Sequence, residues 1–329
     1  MNRPKPLAKL MLQAKKQLTL RSTLLRWVTC LSMASTWMAC SALAAPQPDD
    51  QFDGQLALQH IAQQISFGPR ISDHAAKQQT LNYIKQRLQP EADKLVVQPF
   101  QRFGLSGNNL WASFYAQAQN DPTSKNGPRI MLAAHWDTRP IADRDDVAAN
   151  RSQPVIGAND GASGVAVLLE IARLLSSKRA PVTVDLIFLD LEDMGNIDQL
   201  PFSIGASEFV RMNRFYRPSA GVVVDMVCDR DLVIPREGFS RKGAADLQNR
   251  IWQIAEQQGA AVFVDRNGSF VDDDHVPFLN AGLKVVNLIH WPFPASWHTS
   301  DDTIEYCSAD SLQQVGRVVA ELIYTSPTD

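Results

Sequence analysis

Acidic residues are absent from the first 48 positions of this 329-residue chain. The same stretch holds seven basic residues, all before Trp27, and residues 27–48 carry no charge. A basic start followed by an uncharged run is typical of an export signal. The run "WVTCLSMASTWMACSALAAP" is diluted by Ser and Thr, unlike a permanent membrane-spanning helix. We therefore predict a signal peptide at residues 1–44, cleaved before Ala45, with an uncleaved anchor or lipidation at Cys40 as alternatives.

Basic residues are in the minority over the rest of the chain. Without the seven in the signal, 25 of the 32 basic residues remain against 35 acidic ones, a net charge near −10. Such a balance argues against nucleic acid as a partner, because the phosphate backbone needs a basic surface. We predict an exported protein, periplasmic or secreted, with membrane attachment possible only through its N-terminus.

Cysteine is rare, and repeats, heptads and long low-complexity linkers are missing. Of four cysteines, Cys30 and Cys40 lie in the signal, which leaves Cys228 and Cys307. A disulfide between these two and a pair of buried thiols are equally compatible with their spacing. The 285 residues from 45 to 329 are enough for a substantial core, so we predict that they form one domain.

Apolar periodicity predicts six helices in this domain. Segments 53–66 and 73–88 have apolar residues at helical spacing, and each opens with an Asp that can cap the first turn. The other helical stretches are 162–178, 204–214, 243–259 and 309–324. Two β-rich runs, "KLVVQPFQRF" and "NNLWASFYAQ", predict a hairpin with "GLSG" as its turn, and residues 120–128 are expected to form a surface loop.

Four short apolar runs predict buried strands. They are "RIMLAAHWD", "VDLIFLDLED", "GVVVDMV" and "LKVVNLI". Because these runs alternate with helices, the fold class is α/β, with helices on both faces of a sheet whose centre is largely parallel.

Carboxylates or a histidine follow three of these strands. The residues are His135 and Asp137, then Asp190, Glu192 and Asp193, then Asp225. Open α/β sheets bind ligands at the carboxyl ends of their strands. A single Asp in such a place is as readily a helix cap. Several acids that converge on one edge, however, repel one another unless a cation holds them.

Two further segments complete a candidate metal site. Asp160 stands in "GANDGASG", where small neighbours leave room for an ion and a helix begins directly afterwards. His298, in the Pro-bounded loop "FPASWHTSDD", supplies a nitrogen. Carboxylates from Asp160 and the Glu192-Asp193 pair, with one imidazole, suit catalytic zinc, because calcium and magnesium rarely recruit an imidazole.

Six motifs between about residues 130 and 302 carry a resemblance to a known superfamily. In order they read "AAHWD", "GANDGASGVAVLLEIAR", "LIFLDLED", "VVVDM", "DDDHVPFLNAG" and "PFPASWHTSDD". The series resembles the zinc-dependent exopeptidases that include aminopeptidases and animal-type glutaminyl cyclases. The resemblance implies a single domain with a mixed, mainly parallel central sheet flanked by helices.

Two features resemble glutaminyl-peptide cyclotransferases in particular. Asp273 opens the triplet Asp-Asp-His, where aminopeptidases of this type usually have Ser, and Trp297 directly precedes His298. The implied activity converts the N-terminal Gln of peptides or proteins to pyroglutamate and releases ammonia. In such an enzyme Glu192 matches the acid/base, Asp225 and Asp273 match the paired carboxylates beside it, and Trp297 lines the pocket.

The resemblance also assigns metal positions. Asp160, Asp193 and His298 match the ligands of the single zinc ion of the cyclases. His135 and Asp137 match the motif that helps to build a second metal site in the peptidases. One zinc ion is therefore expected for a cyclase and two for a peptidase.

Departures from the cyclase pattern leave alternatives open. Asp193 replaces the usual Glu, Asn287 replaces a pocket histidine, and Ala134 and Val165 replace a cysteine pair. The loop "MGNIDQLPF" after Asp193 lacks the expected Trp. A two-zinc aminopeptidase is the main alternative, and a non-catalytic binding domain on the same fold is a third.

Overall fold

The structure is a computed structural model that describes residues 51–116 and 127–326. Residues 1–44, for which a signal peptide is predicted, lie outside the described residues, as does most of the predicted loop at 120–128. None of the described helices combines the length and apolar character needed to cross a membrane.

A six-stranded sheet forms the centre of the described chain. The described residues form eight strands, of which β6 and β7 make a separate pair: β1 (Lys94–Arg102), β2 (Leu105–Phe114), β3 (Arg129–His135), β4 (Thr183–Leu189), β5 (Ala220–Asp225), β6 (Ile234–Arg236), β7 (Phe263–Asn267) and β8 (Val285–Ile289). The order in the main sheet is β1-β2-β4-β3-β5-β8. The pairs β3/β4, β3/β5 and β5/β8 are parallel, and only the hairpin side is antiparallel. The predicted mixed, mainly parallel sheet is confirmed, whereas the small parallel pair β6/β7 was not predicted.

Eight α-helices connect or cover these strands in the described ranges. They are α1 (Gly54–Ser66), α2 (Ala75–Leu88), α3 (Ala162–Ser177), α4 (Ile204–Met212), α5 (Gly238–Gly243), α6 (Ala245–Gln257), α7 (His275–Asn280) and α8 (Ala309–Tyr324). All six predicted helices occur. The helix predicted at 243–259 is preceded by a separate short helix, α5, and the two helices are interrupted at Ala244, whose φ of −145° and ψ of 43° are not helical.

Helix capping follows the sequence prediction at one of two sites. The side chain of Asp53 accepts hydrogen bonds from the backbone N–H groups of Gln55 and Leu56, so it caps α1 as predicted. The prediction for Asp73 is wrong. Its backbone is left-handed, with φ of 61°, and α2 begins one residue later than a cap at this position would allow, after His74.

The hairpin turn is shorter than predicted. Instead of "GLSG", the turn consists of Phe103 and Gly104, with φ of 51° and 79°, and Leu105 already pairs with Arg102. Two consecutive positive φ values match the right-handed twist of the two strands, which explains why a two-residue turn is favoured.

Alternate residues of the central strands face two separate cores. On β3, Ile130 and Leu132 pack into the larger core with α1, α3 and α8. Met131 and Ala133 face the opposite side, where Phe209 of α4 and Phe278 of α7 cover the sheet. This period of two is the pleat of a strand with both faces buried.

The structure pairs Cys228 with Cys307 in a disulfide that spans 79 residues. Cys228 follows β5, and Cys307 precedes α8. The bond therefore links the carboxyl end of β5 to the segment that follows His298. Of the two alternatives for these cysteines, the structure therefore favours the disulfide.

The buried His60 predicts a pH dependence of stability. Burial, with a smaller effect of Arg87, lowers the pKa of His60 to about 4 from 6.5. Between these values the unfolded chain binds a proton that the folded chain excludes. The contribution of His60 to the free energy of unfolding is therefore fully present above pH 6.5. As the pH falls toward 4, roughly 3 kcal/mol of this contribution is lost. We expect urea unfolding of His60→Gln to show a smaller loss between pH 7 and pH 4 than wild type. Parallel pH curves for the two proteins would contradict this assignment.

Candidate active site

The polar residues predicted at strand ends do meet at one edge of the sheet. His135 is the last residue of β3, Asp225 is the last residue of β5, and Glu192 and Asp193 follow β4. Because these three strands are parallel neighbours, their carboxyl ends lie side by side. All four side chains are buried.

Asp160, Asp193 and His298 form the first group that could hold a metal ion. Their donor atoms lie within 4.8 Å of one another. His298 Nε2 is 3.1 Å from Asp193 Oδ1 and 3.7 Å from Asp160 Oδ2. The other oxygen of Asp193 is buried and has no hydrogen-bond partner in the described structure, an arrangement that a cation would satisfy. Two carboxylates and one imidazole with room for a further ligand fit a catalytic zinc ion.

A second group shares Asp160 with the first. It consists of His135, Asp160 and Asp225. His135 Nε2 lies 3.0 Å from Asp160 Oδ1 and 3.1 Å from Asp225 Oδ1. The two oxygens of Asp160 therefore face different groups, so that this carboxylate bridges them. What the "GANDGASG" motif presents is a ligand position common to two candidate metal sites.

Asp137 lies outside both groups, although the resemblance linked it to a second metal. Its carboxylate accepts hydrogen bonds from the backbone N–H groups of Glu192 at 3.0 Å and Asp193 at 3.2 Å. Its Oδ1 also lies 3.5 Å from His135 Nδ1. Asp137 therefore orients Asp193 of the first group and His135 of the second, as carboxylates that contact metal ligands do.

Glycine allows the close packing that brings Asp160 to His135. A Cβ atom on Gly161 would lie 2.4 Å from the His135 ring. From the other side, the Asp302 carboxylate accepts hydrogen bonds from the N–H groups of Asn159 and Asp160, at 2.7 and 3.0 Å. Burial raises the pKa of Asp302 to about 7, with the charge of Asp160 adding to the effect. Sequence reasoning did not identify this role of Asp302, whose only signal was its place in "HTSDD".

Left-handed backbone occurs at several positions around the site, among them Leu191, Met226 and His298. The φ angles are 57° at Leu191, 49° at Met226 and 57° at His298. Such conformations cost a non-glycine residue about 1–3 kcal/mol each and are concentrated at functional sites. At Leu191 the turn directs the chain away from β4 just before Glu192. No sequence signal marks these residues, because none is Gly or Asn.

Glu192 lies beside the metal groups but belongs to neither. Burial raises the pKa of Glu192 well above its ordinary value, and the charges of Asp273 and Asp274 add to the effect. Burial and Asp273 likewise raise the pKa of Asp225 to about 8. The site thus holds more carboxyl groups than a buried environment can ionise without added positive charge, in keeping with a metal ion nearby.

Asn287 has a definite partner in place of the pocket histidine of animal cyclases. Its amide Nδ2 donates a hydrogen bond to Asp273 Oδ2. Both residues are buried, and Asp273 lines the same pocket as Asp225 and Glu192. The Asn287 amide therefore orients the carboxylate of Asp273.

Aromatic side chains form the wall of a pocket of about 240 Å³ above these groups. They are Phe202, Phe270, Trp291, Phe293 and Trp297. The Trp297 ring stacks on the His298 ring, with centroids 3.8 Å apart, and so orients this imidazole. Sequence reasoning identified Trp297 and missed Phe202, Phe270 and Phe293. Phe202 ends the very loop that lacks the expected Trp, so this loop still contributes an aromatic side chain.

Asp190 does not join the site, although it also follows β4. Its carboxylate is 2.7 Å from Lys77 Nζ and accepts a hydrogen bond from the backbone N–H of Asn108. Burial raises the pKa of Asp190 to about 6. This ion pair links α2 to the end of β4.

Comparison with known proteins identifies the family. The sequence profile of peptidase family M28 matches residues 116–323, which is more than half of the chain. The chain belongs to peptidase family M28. Among curated relatives, the glutaminyl-peptide cyclotransferase-like protein of Bos taurus is 28% identical over 223 residues, 58% of this chain and 55% of that protein. The chain thus spans little more than half the length of this relative.

Solved structures confirm the predicted zinc exopeptidase-like fold of this family member. The glutaminyl cyclase of Bacteroides thetaiotaomicron, solved with N-acetylhistamine, is 33% identical with a TM-score of 0.78 and covers 84% of this chain and 99% of its own. A Zn-dependent exopeptidase from Parabacteroides distasonis is 28% identical with a TM-score of 0.77 and covers 84% and 99%. Both a cyclase and an exopeptidase thus share the fold of this chain.

Proposed function

We propose that this protein is a glutaminyl-peptide cyclotransferase that uses one zinc ion bound by Asp160, Asp193 and His298. The observation that carries the proposal is the pocket, whose lining combines five aromatic side chains with Glu192 and with Asp160 and His298 of the first metal group. A pocket of about 240 Å³ is smaller than the roughly 300–1,000 Å³ of sites for drug-sized ligands. It suits a single side chain with its amino terminus.

The substrate would enter with its terminal glutamine against the aromatic wall. A zinc ion in the first group would supply a Lewis acid for the side-chain carboxamide oxygen. The Glu192 carboxylate would accept one proton from the α-amine as the amine nitrogen attacks the carboxamide carbon. The same carboxyl group would return that proton to the leaving nitrogen, so that ammonia departs and Glu192 is unchanged.

Asp225 and Asp273 would hold the reacting amine. Both carboxyl groups are buried and line the same pocket as Glu192. The pair would therefore offer hydrogen-bond acceptors to the amine group. Asn287, bonded to Asp273, would keep this carboxyl group directed at the pocket.

Mass spectrometry of two matched peptides tests the proposal. A peptide that begins with Gln is expected to lose one ammonia, with every peptide bond intact, and the same peptide beginning with Leu is expected to remain unchanged. The reason is geometric, because Leu has no side-chain oxygen to bind the metal. Release of free Gln or free Leu would overturn the cyclase proposal.

A two-zinc aminopeptidase is the second candidate, and one observation favours it. His135 and Asp225 complete a second metal group around the bridging Asp160. A water between two ions would then be the nucleophile. Metal analysis of the purified protein separates the candidates, since about one zinc per chain fits the cyclase and two fit the peptidase.

We also infer that the protein works outside the cytoplasm. The charge pattern of residues 1–44 supports export. The disulfide between Cys228 and Cys307 supports an oxidising compartment, because such bonds rarely persist in the cytosol. Residues 45–329 would then be the mature enzyme, acting on exported peptides and proteins.

A further inference from the structure

A second crevice lies across the 290–297 segment from the substrate pocket. Its volume is about 790 Å³, and its walls include Asp229, Asp231, His290 and Glu305. Along the shared segment, Trp291, Phe293 and Trp297 line the substrate pocket, whereas His290 and residues 294–296 line the crevice. One stretch of chain thus forms the boundary of both.

The crevice is acidic. Three carboxylates line it against one guanidinium, that of Arg230, which gives a net charge of −2. The Arg230 guanidinium is already engaged by the backbone carbonyl of Glu305. Asp231 and Glu305 are exposed, so their charges are accessible to a ligand in the crevice. This charge favours a cationic ligand.

His290 provides an independent sign of a ligand. Its side chain lines the crevice and the residue is only 6% exposed, yet Nδ1 has no hydrogen-bond partner among the described residues. Buried polar atoms in native proteins are nearly always satisfied. Burial also lowers the pKa of His290, so the ring is neutral near pH 7 and can accept a hydrogen bond from an N–H group.

The walls of the crevice are held by covalent and backbone links. Asp229 pairs with Cys307 in an isolated antiparallel bridge, next to the disulfide. The backbone N–H of Trp291 donates to the carbonyl of Val233 at 2.9 Å. The Ser311 hydroxyl donates to the Asp229 carbonyl at 2.7 Å. A ligand would therefore meet a preformed site.

We propose that this crevice binds a lysine or arginine side chain of the peptide substrate, downstream of its N-terminal glutamine. The proposal rests on the proposed function and places the outgoing peptide over the 290–297 segment, which lines both cavities. Packed layers of chain lie about 10 Å apart. Since an extended peptide advances about 3.3 Å per residue, roughly three residues separate the glutamine from a side chain that reaches the crevice.

Cyclisation of a peptide series tests the proposal. The series begins with Gln, is otherwise Ala and Gly, and carries one Lys at each position from 3 to 7 in turn. We expect kcat/KM to rise about fivefold for Lys at one or two of these positions, as two or three partly exposed charge pairs would allow. Glu at the same position should lower kcat/KM relative to Ala.

A variant without the two exposed acids of the crevice, Asp231 and Glu305, tests their role in the preference for Lys. The double substitution Asp231→Asn with Glu305→Gln should abolish the preference for Lys and leave kcat/KM for the Ala peptide unchanged. Glu256→Gln, an exposed acid on α6, is the matched control and should keep the preference. A Lys preference that is missing in wild type, or that survives the double substitution, would overturn the crevice assignment.

A binding measurement keeps this test separate from the proposed activity. Fluorescence anisotropy compares wild type and the double variant with labelled peptides that contain Lys or Glu at the favoured spacing. If no Gln peptide is cyclised, the proposed function fails, and anisotropy over the whole Lys series then decides on the crevice alone. Equal affinity for the Lys and Glu peptides in wild type would show that the crevice binds no basic side chain.

Discussion

Replacing Asp160 with Ala is expected to abolish activity and lower zinc affinity at least about 100-fold, more than the loss usually caused by outer-shell partners. The structure makes this the largest expected effect, because Asp160 is the one carboxylate common to both candidate metal groups in the described structure. Its loss removes an anionic ligand whether the enzyme holds one ion or two. Zinc content after dialysis against a weak chelator measures the effect.

The variant is expected to remain folded, because the backbone N–H of Asp160 still donates to Asp302. Circular dichroism checks the fold, and Asp160→Asn, which keeps the shape of the side chain, is a second test of the ligand role. Asp301→Ala removes an exposed acid near His298 and serves as the matched control with normal zinc and activity. Normal zinc stoichiometry in Asp160→Ala would show that Asp160 is no ligand.

Replacing Glu192 with Gln is expected to reduce turnover by about 10²–10⁴-fold while zinc content stays normal. The substitution preserves the shape of the side chain and removes its capacity to accept a proton. Glu192 also lies outside both metal groups, so its loss should leave the ligands in place. Loss of zinc from Glu192→Gln would instead identify Glu192 as a ligand and Asp193 as the base.

The pH profile gives a second readout for Glu192. A base works only when deprotonated, so activity should fall as the pH drops through the pKa of Glu192. Burial raises the pKa of Glu192 and a zinc ion beside it would lower that pKa, so the variant, and not the position of the acidic limb, identifies the titrating group. The residual activity of Glu192→Gln should not fall at acidic pH in this way. An unchanged acidic limb in the variant would assign the titration to another group.

Much of the fold could be predicted because its signals are local. The buried strands are short apolar runs, and the helices repeat apolar residues every three or four positions, so each element depends on neighbours in the chain. The errors arose where backbone conformation depends on packing. Asp73 was expected to cap α2, but its left-handed backbone places it before the cap, and nothing in the local composition indicates this.

The candidate site was predictable to the extent that its chemistry requires particular residue types. Donor chemistry and parallel strand ends pointed to Asp160, the Glu192-Asp193 pair and His298, and the resemblance to the cyclases selected Asp193 from that pair. The supporting residues could not be selected in this way. Asp302 and Asn287 act through hydrogen bonds to Asp160 and Asp273, and many Asp and Asn residues of the chain could equally have served.

By itself, the sequence determined the α/β class and the largely parallel sheet centre through short-range pattern, and the residue types suited to a metal through donor chemistry. The family followed from the resemblance of six motifs. Only the tertiary structure decided that Asp160 bridges two groups, that Asp137 supports rather than joins them, and that aromatic side chains from separate loops enclose one pocket. Asp302 and Asp160 are 142 residues apart in sequence, yet they meet through a 3.0 Å hydrogen bond. Contacts at such separation depend on strand order and packing of the whole sheet, which no local pattern encodes.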